Sequence, residues 1–592
     1  MKSKEAIRNK ILAYTNQIWG TRRIERLDLL AQMMVGTLAN ELYQVQNRLN
    51  DIDTTLLEKI AQKLTPERFM SVRPPHTVLQ MRPNYPVVLL EQGNTFTLEW
   101  MPDGFVDEKA DAIIFHPVAD TYLYNVKIDN LFHYKQLYTI DNNGKKLLET
   151  NTINQPNSNS IWFGLDIDPN IENIKGLSFY LDFPKLSEIH ELYEVLPYIK
   201  CFIKGKEINL KQGFPALRKP WLESDRNILQ LYNDHYLTID EDVYVKDWEM
   251  ETIPTDLQDI INSEQGGNLK PKHWINLQFS PYFTVDMLQN IVVAINSFPI
   301  SNRRFMKTTI IKDNLSKMTT LSSERGEKLL FVDYVIDNKN LNFVSDTVTG
   351  SSEAGTYHLE TVNRVFIEEL EIIDYIEQLL DLMDDERSVF TGVNKDKVTE
   401  VLSVFSNIGN EGTHKTGTNN RNKREEITRL SINPYENTSN ANVGYWVTYG
   451  KYLNHIISAE RIFTPDKTSK LDGLLAVSLC EVHGAKEFTD IQDIMSIDRY
   501  IFTSKDRIIT EHNIKCFCES ELGRAIEKVE IKLDGKISPK PNEGIVRVIN
   551  INLFPSKGYP GSLYQKGVLK SLKIRLKERS PDDFLYEINV LA

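Results

Sequence analysis

Cysteine is scarce in this chain: four residues among 592. That is too few for a disulfide framework over such a length, and it fits a reducing compartment. Basic charge is also in short supply. The 69 Lys and Arg are outweighed by 82 Asp and Glu, a formal net charge of −13. Nucleic acid and anionic membrane surfaces demand a clustered basic face, so neither is expected as the main partner. No apolar run approaches a membrane span, and Met1–Glu5 lacks the apolar centre of a signal peptide. The enzyme signatures are missing as well: no phosphate loop, no dinucleotide glycine fingerprint, no His-Glu-x-x-His, no Gly-x-Ser-x-Gly. These absences point to a large cytoplasmic protein without a recognisable catalytic or cofactor motif.

What is present begins with a long apolar stripe. Leu27, Leu30, Met34, Leu38, Leu42, Val45, Leu49, Ile52, Leu56 and Ile60 follow one another at steps of three or four. Such spacing places them along one face of a helix. A helix from about Arg23 to Leu64 would extend roughly 60 Å at 1.5 Å per residue. The heptad spacing of Leu42, Val45, Leu49, Ile52 and Leu56 favours a coiled-coil-like seam shared with other helices. Packing on the chain's own core is the alternative. Leu38, Leu42, Val45, Leu49, Ile52 and Leu56 are the expected partner-binding seam.

After Pro66 the texture becomes extended. The proline clusters at 74–75 and 83–86 bracket the alternating run Thr77–Met81. Further strands are expected at Thr95–Trp100, Ile113–Val118 and Leu329–Val335. Ile161–Ile167 and Leu177–Phe183 read as a pair of half-buried strands around the turn Asp168-Pro169-Asn170. A second amphipathic helical stripe starts at Arg364, with Phe366, Leu370, Ile373, Glu377, Leu380 and Met383, imperfect at Glu377. Residues 409–426 contain no large apolar side chain and are expected as a flexible loop. Beyond them, Trp446–Tyr449 reads as strand. Between about Arg507 and Glu521 a short helix is expected, carrying Ile514 and Phe517 and capped by Thr510. Strands Lys528–Ile531 and Val546–Ile551 are separated by Asp534-Gly535, a turn dipeptide.

The chain therefore reads as a β-rich, α+β multidomain protein. Its segments are an N-terminal helical bundle segment (1–70), a β-rich domain (71–215) and a second β-rich domain (216–363). A helical segment with a flexible loop (364–426) and a C-terminal α+β domain (427–592) follow. Catalytic, cofactor and metal sites are each expected to be absent. Cys480, His483, His512, Cys516 and Cys518 would need four donors to converge for zinc, and Cys-x-Cys on a helix splays its thiols. Cys516 and Cys518 read as small apolar residues near a core. The pairs Asp51/Asp53, Asp166/Asp168 and Asp384/Asp385 read as turn or surface acids. The 25 Tyr and 25 Phe could line a carbohydrate groove or pack sheets equally well.

Several motifs resemble one family. The order is a long helix, then LTPERFMSVRPPHTVLQMRP (64–83), then a β-rich middle. IWFGLDIDPN (161–170), LSFYLDF (177–183), INSFPISNRR (295–304) and ITEHNIKCFCESELG (509–523) before VEIKLDG (529–535) follow. Together they resemble TssF, the type VI secretion baseplate wedge subunit, and through the tail element baseplate-J-like phage proteins. Asn513 stands where that element commonly has an acid. The resemblance implies a structural wedge component assembling with TssG-like and TssK-like subunits and a second copy of itself. It also implies proximity to spike and sheath, in a cytoplasmic baseplate docked at the inner-membrane complex without direct membrane insertion. A wedge protein of a phage tail or extracellular injection particle shares this physics. A multidomain polymer-acting enzyme is the more distant alternative.

Overall fold

In a computed structural model, the structure describes Leu38 and residues 72–100, 111–134, 136–141, 144–150, 159–187, 190–258, 270–311, 319–321, 327–345, 354–364, 425–435, 438–466, 470–471, 474–487, 491–504, 506–538, 540–541, 543–558, 561–565, 567–581 and 584–591. They divide into two compact units. The first holds those up to Met306, Leu330–Asp333 and those from Tyr445 onward; the second holds Lys307–Leu329 and Tyr334–Gly444.

At the centre of the first unit is a closed six-stranded barrel. Its order is His76–Gln80, Ser297–Asn302, Asp111–Pro117, Phe96–Trp100, Ile462–Pro465 and Ala476–Ser478. Phe96 meets Phe298 at 5.3 Å between ring centroids, and Phe115 meets Phe463 at 5.4 Å. Closure removes the free edges that an open sheet would expose. The barrel draws on three separate stretches of sequence, because antiparallel pairing brings His76–Gln80 against Ser297–Ser301 and also against Val477–Ser478.

Beside the barrel lie two sheets. One has seven strands in the order Lys206–Ile208, Lys200–Ile203, His273–Gln278, Ser160–Ile167, Val126–His133, Gln136–Asp141, Gly144–Thr150. The other has four: Leu210–Gln212, Tyr236–Ile239, Ser178–Asp182, Val292–Ile295. Ile161–Ile167 and Leu177–Phe183 are thus strands, as expected, but not a pair and not half-buried. Each sits inside a different sheet, and Phe163 faces Phe179 at 6.1 Å across a shared core. The opposite face of the first is also covered, with Trp162 clustered among Phe132, Leu137, Leu257 and Trp274. At Gly164 a methyl group would come within 3.1 Å of the Asn130 Cβ and 3.3 Å of the Trp274 ring. That close approach is why glycine interrupts an otherwise bulky strand.

The last part of the first unit packs helices Ile491–Ser504, Glu511–Leu522 and Val568–Arg579 with a three-stranded sheet. Its strands are Ile526–Ile537, Ile545–Pro555 and Tyr586–Val590, the last running parallel to its neighbour. Asp534-Gly535 is not the turn. The strand passes straight through it, pairing Asp534 with Val548 and Gly535 with Arg547. Reversal occurs later, where Ser538 N–H donates to the Gly544 carbonyl at 2.9 Å and Gly544 adopts φ +69°. Cross-strand pairing along the whole of Ile545–Pro555 outweighs one local turn preference. The expected Thr510 cap is present, with Asn513 as its partner. The Asn513 side chain accepts from Thr510 N–H at 3.0 Å while Asn513 N–H donates to Thr510 Oγ1 at 3.2 Å, a complete capping box without an acid.

The second unit contains a four-stranded sheet ordered Thr319–Thr320, Glu425–Asn433, Thr356–Arg364, Val344–Ser345. Arg364 ends a strand, and Glu425 and Glu426 already pair with Arg364 and Asn363. The end of the expected loop is therefore strand. The helical stripe after Arg364 and the rest of that loop lie outside the described residues. Expected strands at Thr77–Met81, Thr95–Trp100, Ile113–Val118 and Leu329–Val335 are present within one or two residues of their expected limits.

Candidate partner-binding surface

Of the expected seam, Leu38 is helical and 51% exposed. Leu42, Val45, Leu49, Ile52 and Leu56 lie outside the described residues. The structure therefore locates candidate surfaces elsewhere, and the framework that holds them starts from the motif residues 295–304.

Asn296 opens that motif at φ +54°. Its side chain accepts from Tyr124 N–H at 2.9 Å and donates to the Tyr124 and Val126 carbonyls at 2.7 and 3.0 Å. Asparagine tolerates the left-handed region, and here the same side chain ties the barrel to the seven-stranded sheet. Ser297–Asn302 then runs wholly buried between two barrel neighbours. Arg303 closes the motif inside the protein, 2% exposed, and pairs with Asp225 on helix Glu223–Asn233, which is fully buried. Ser301 Oγ donates to the same carboxylate at 3.0 Å, and Arg303 Nη2 donates to the Pro117 carbonyl at 3.2 Å. The guanidinium also lies 5.2 Å from the Trp446 ring centroid. Burial pushes the Asp225 carboxyl up against the pull of Arg303 and Ser301. Such a pair fixes geometry, since losing either member strands the other.

The tail motif supplies a second ionic centre. Glu521, at the end of helix Glu511–Leu522, accepts from Arg73 Nη2 through both carboxylate oxygens at 2.9 Å. Arg575 Nε lies 3.5 Å from the same group, and Lys486 Nζ 3.9 Å. Burial alone would raise this carboxyl, but Arg575, Arg73 and Lys486 together hold it well below the usual carboxylate range. Glu521 thereby fastens the C-terminal helices to the two ends of chain flanking the barrel, at Arg73 and Lys486. A nearby aromatic cluster combines packing with a buried hydrogen bond. His76 Nδ1 lies 2.9 Å from the Tyr232 hydroxyl, the His76 and His483 rings are 4.7 Å apart, and both imidazoles are buried. Burial and the neighbouring His483 keep His76 well below its ordinary pKa. Gly484, at φ +86°, has no room for a side chain because a Cβ would strike His76 Nε2.

Of the residues weighed for chemistry, Asp51, Asp53, Asp384 and Asp385 lie outside the described residues. Cys480, Cys516 and Cys518 are buried free thiols, and His512 Nε2 lies 3.5 Å from Cys516 Sγ. Among the described residues no three His, Cys, Asp or Glu are grouped to hold a metal ion. Asp166 accepts from Lys272 at 3.0 Å and from Arg82 at 3.3 Å, while Asp168 accepts from Asn170 N–H at 2.9 Å within the turn.

Two exposed features remain. A groove of about 680 Å³ opens between the short helix Glu191–Tyr198 and the C-terminal sheet. Several of its charges are paired with one another. Lys536 bridges Glu191 and Glu587, and Lys573 and Lys540 lie 3.1 and 3.5 Å from Glu194. Burial would raise the Glu194 carboxyl, but the two lysines lower it. The second feature is the far half of the hairpin, where Leu533, Ile537 and Ile545 are 84, 75 and 79% exposed. Large apolar side chains left this open together mark association surfaces. Neither feature is apparent from sequence, although VEIKLDGKI alternates cleanly and only the supposed turn at Asp534-Gly535 hides its length. Among the described residues no helix is long and apolar enough to cross a membrane.

No family model matches the sequence, and no curated protein matches it. Several solved structures are similar, among them the following two. One is a chain of the type VI secretion TssK–TssF–TssG baseplate subcomplex, 10% identical, covering 95% of this chain and 96% of that chain, with a TM-score of 0.47. The other is a chain of the type VI secretion baseplate complex, 8% identical, covering 98% of this chain and 92% of that chain, with a TM-score of 0.38.

Proposed function

We propose that this chain is a structural wedge subunit of a type VI secretion baseplate. In this reading it assembles with TssG-like and TssK-like subunits and a second copy of itself around the spike. It supports sheath assembly in a cytoplasmic baseplate docked at the inner-membrane complex. The observation that carries the reading is where the family-like motifs fall. INSFPISNRR builds the inner barrel strand and the Arg303–Asp225 pair, and ITEHNIKCFCESELG builds the helix that ends in Glu521. Residues that carry the resemblance are therefore the ones that set the framework, while the exposed surfaces are grooves and strand edges suited to proteins. Leu38, Leu42, Val45, Leu49, Ile52 and Leu56 are the proposed seam for the TssG-like partner. Leu42→Asp with Leu49→Asp is expected to abolish co-purification with that partner while the circular dichroism of the β-rich part is unchanged. Retained co-purification by the double variant would remove the seam.

A further inference from the structure

Strand Ile526–Ile537 is twelve residues long and, among the described residues, pairs on one side only, with Ile545–Pro555. A bulge at its start sets the phase, after which side chains alternate regularly. Val529, Ile531, Leu533 and Ile537 share one face, opposite Leu553, Ile551, Ile549 and Ile545. The near part of this face is core: Val529, Ile551 and Leu553 are buried with the helices. The far part continues the same apolar row into solvent. The other face carries Lys528, Glu530, Lys532, Asp534 and Lys536, a strict alternation of sign. Lys536 is engaged by Glu191 and Glu587, whereas Lys528 reaches Glu530 on its own strand at 2.6 Å and lies 5.8 Å from the Phe554 ring centroid on the paired strand.

That alternation is self-complementary. Turned about a two-fold axis through Ile531, the strand meets its own copy antiparallel. Lys528 then faces Asp534 of the second copy, and Glu530 faces Lys532, each contact occurring twice. On the apolar face Ile531 meets itself, and Val529 meets Leu533. Moving the axis by one residue, to Glu530 or Lys532, instead sets lysine against lysine or acid against acid, which costs stability. A register centred on Leu533 would need Lys536, which is already held. We propose that two copies of this chain join edge to edge through Ile526–Ile537 in the Ile531-centred register. The two three-stranded sheets merge into one of six strands. The contact is isologous, as two-fold interfaces are. It satisfies the open backbone groups of a long edge and brings each exposed Leu533 beside the other copy's Val529.

This deepens the reading above by naming the surface of the self-contact, and it is tested on the isolated full-length chain, so its failure leaves the TssG-like pull-down untouched. The test is light scattering with analytical ultracentrifugation on wild type, Glu530→Lys and Lys532→Glu. Wild type is expected to dimerise with rising concentration. Each reversal places like charges opposite one another at both symmetric contacts and should raise the dissociation constant about tenfold or more. Mixing the two variants should restore dimers, because positions 530 and 532 then meet opposite charges across the interface again. Circular dichroism and melting midpoint, expected to match wild type, exclude misfolding. A monomeric wild type, variants that dimerise like wild type, or a mixture that stays monomeric would each overturn the proposal.

Discussion

Two strands of the same chain show opposite uses of the β pattern. Ser297–Asn302 is buried along its whole length between barrel neighbours, and the Ser301 and Asn302 side chains are hydrogen-bonded within the molecule. Ile526–Ile537 is half core and half open, with apolar side chains standing in solvent and charges alternating along an outer edge. The first strand determines where the framework sits. The second commits its far half to something outside the monomer. Alternation alone therefore does not tell a structural strand from an associating one. What separates them is whether both edges and both faces are covered by the same chain.

The contrast is most vulnerable at the buried pair. Arg303→Met leaves Asp225 charged and alone in the core, and should cost about 3–5 kcal/mol in denaturant unfolding. Adding Asp225→Leu should recover a large part of that loss. A smaller effect is expected at the second ionic centre. Glu521→Gln removes the charge shared by Arg73, Lys486 and Arg575 and should cost about 2–3 kcal/mol at neutral pH. The sign of its pH dependence follows from a folded carboxyl held below the usual range. Its stabilisation is full above the unfolded value of about 4.3 and disappears as pH falls through the lower folded value. The melting difference between wild type and Glu521→Gln should therefore shrink only below about pH 4.

Third in size is the capping box. Thr510→Ala should destabilise by about 1 kcal/mol, and Asn513→Ala by a similar amount, read from thermal melts. The smallest effect belongs to the open strand. Leu533→Ser, at an exposed site, should change monomer stability by no more than about 0.5 kcal/mol. Leu553→Ala, buried on the same sheet face, is its control and should cost about 2–5 kcal/mol.

Much of the β architecture is legible in the sequence because alternation and proline punctuation are local signals. Thr77–Met81 and Ile113–Val118 can be read from their own residues. The barrel cannot, since closing it needs His76–Gln80 to find Ser297–Ser301 and Val477–Ser478. Asp225 looks like an ordinary acid in the first turn of a helix; its partner Arg303 lies 78 residues on. Glu521 is hidden for the same reason, its closest ligand being Arg73, 448 residues away. Asp534-Gly535 misleads because turn propensity is local, while the hairpin register that overrides it is not. Asn513 reads as a departure from an acid, yet its amide oxygen caps the backbone as a carboxylate would.

The decisive measurement is affinity capture of the tagged chain from its native host at low salt, with co-purifying proteins identified by mass. Recovery of a TssG-like and a TssK-like subunit in fixed ratio is the predicted result. Recovery of tail-tube and capsid-type proteins, or of the chain with no other protein, would contradict the type VI baseplate account.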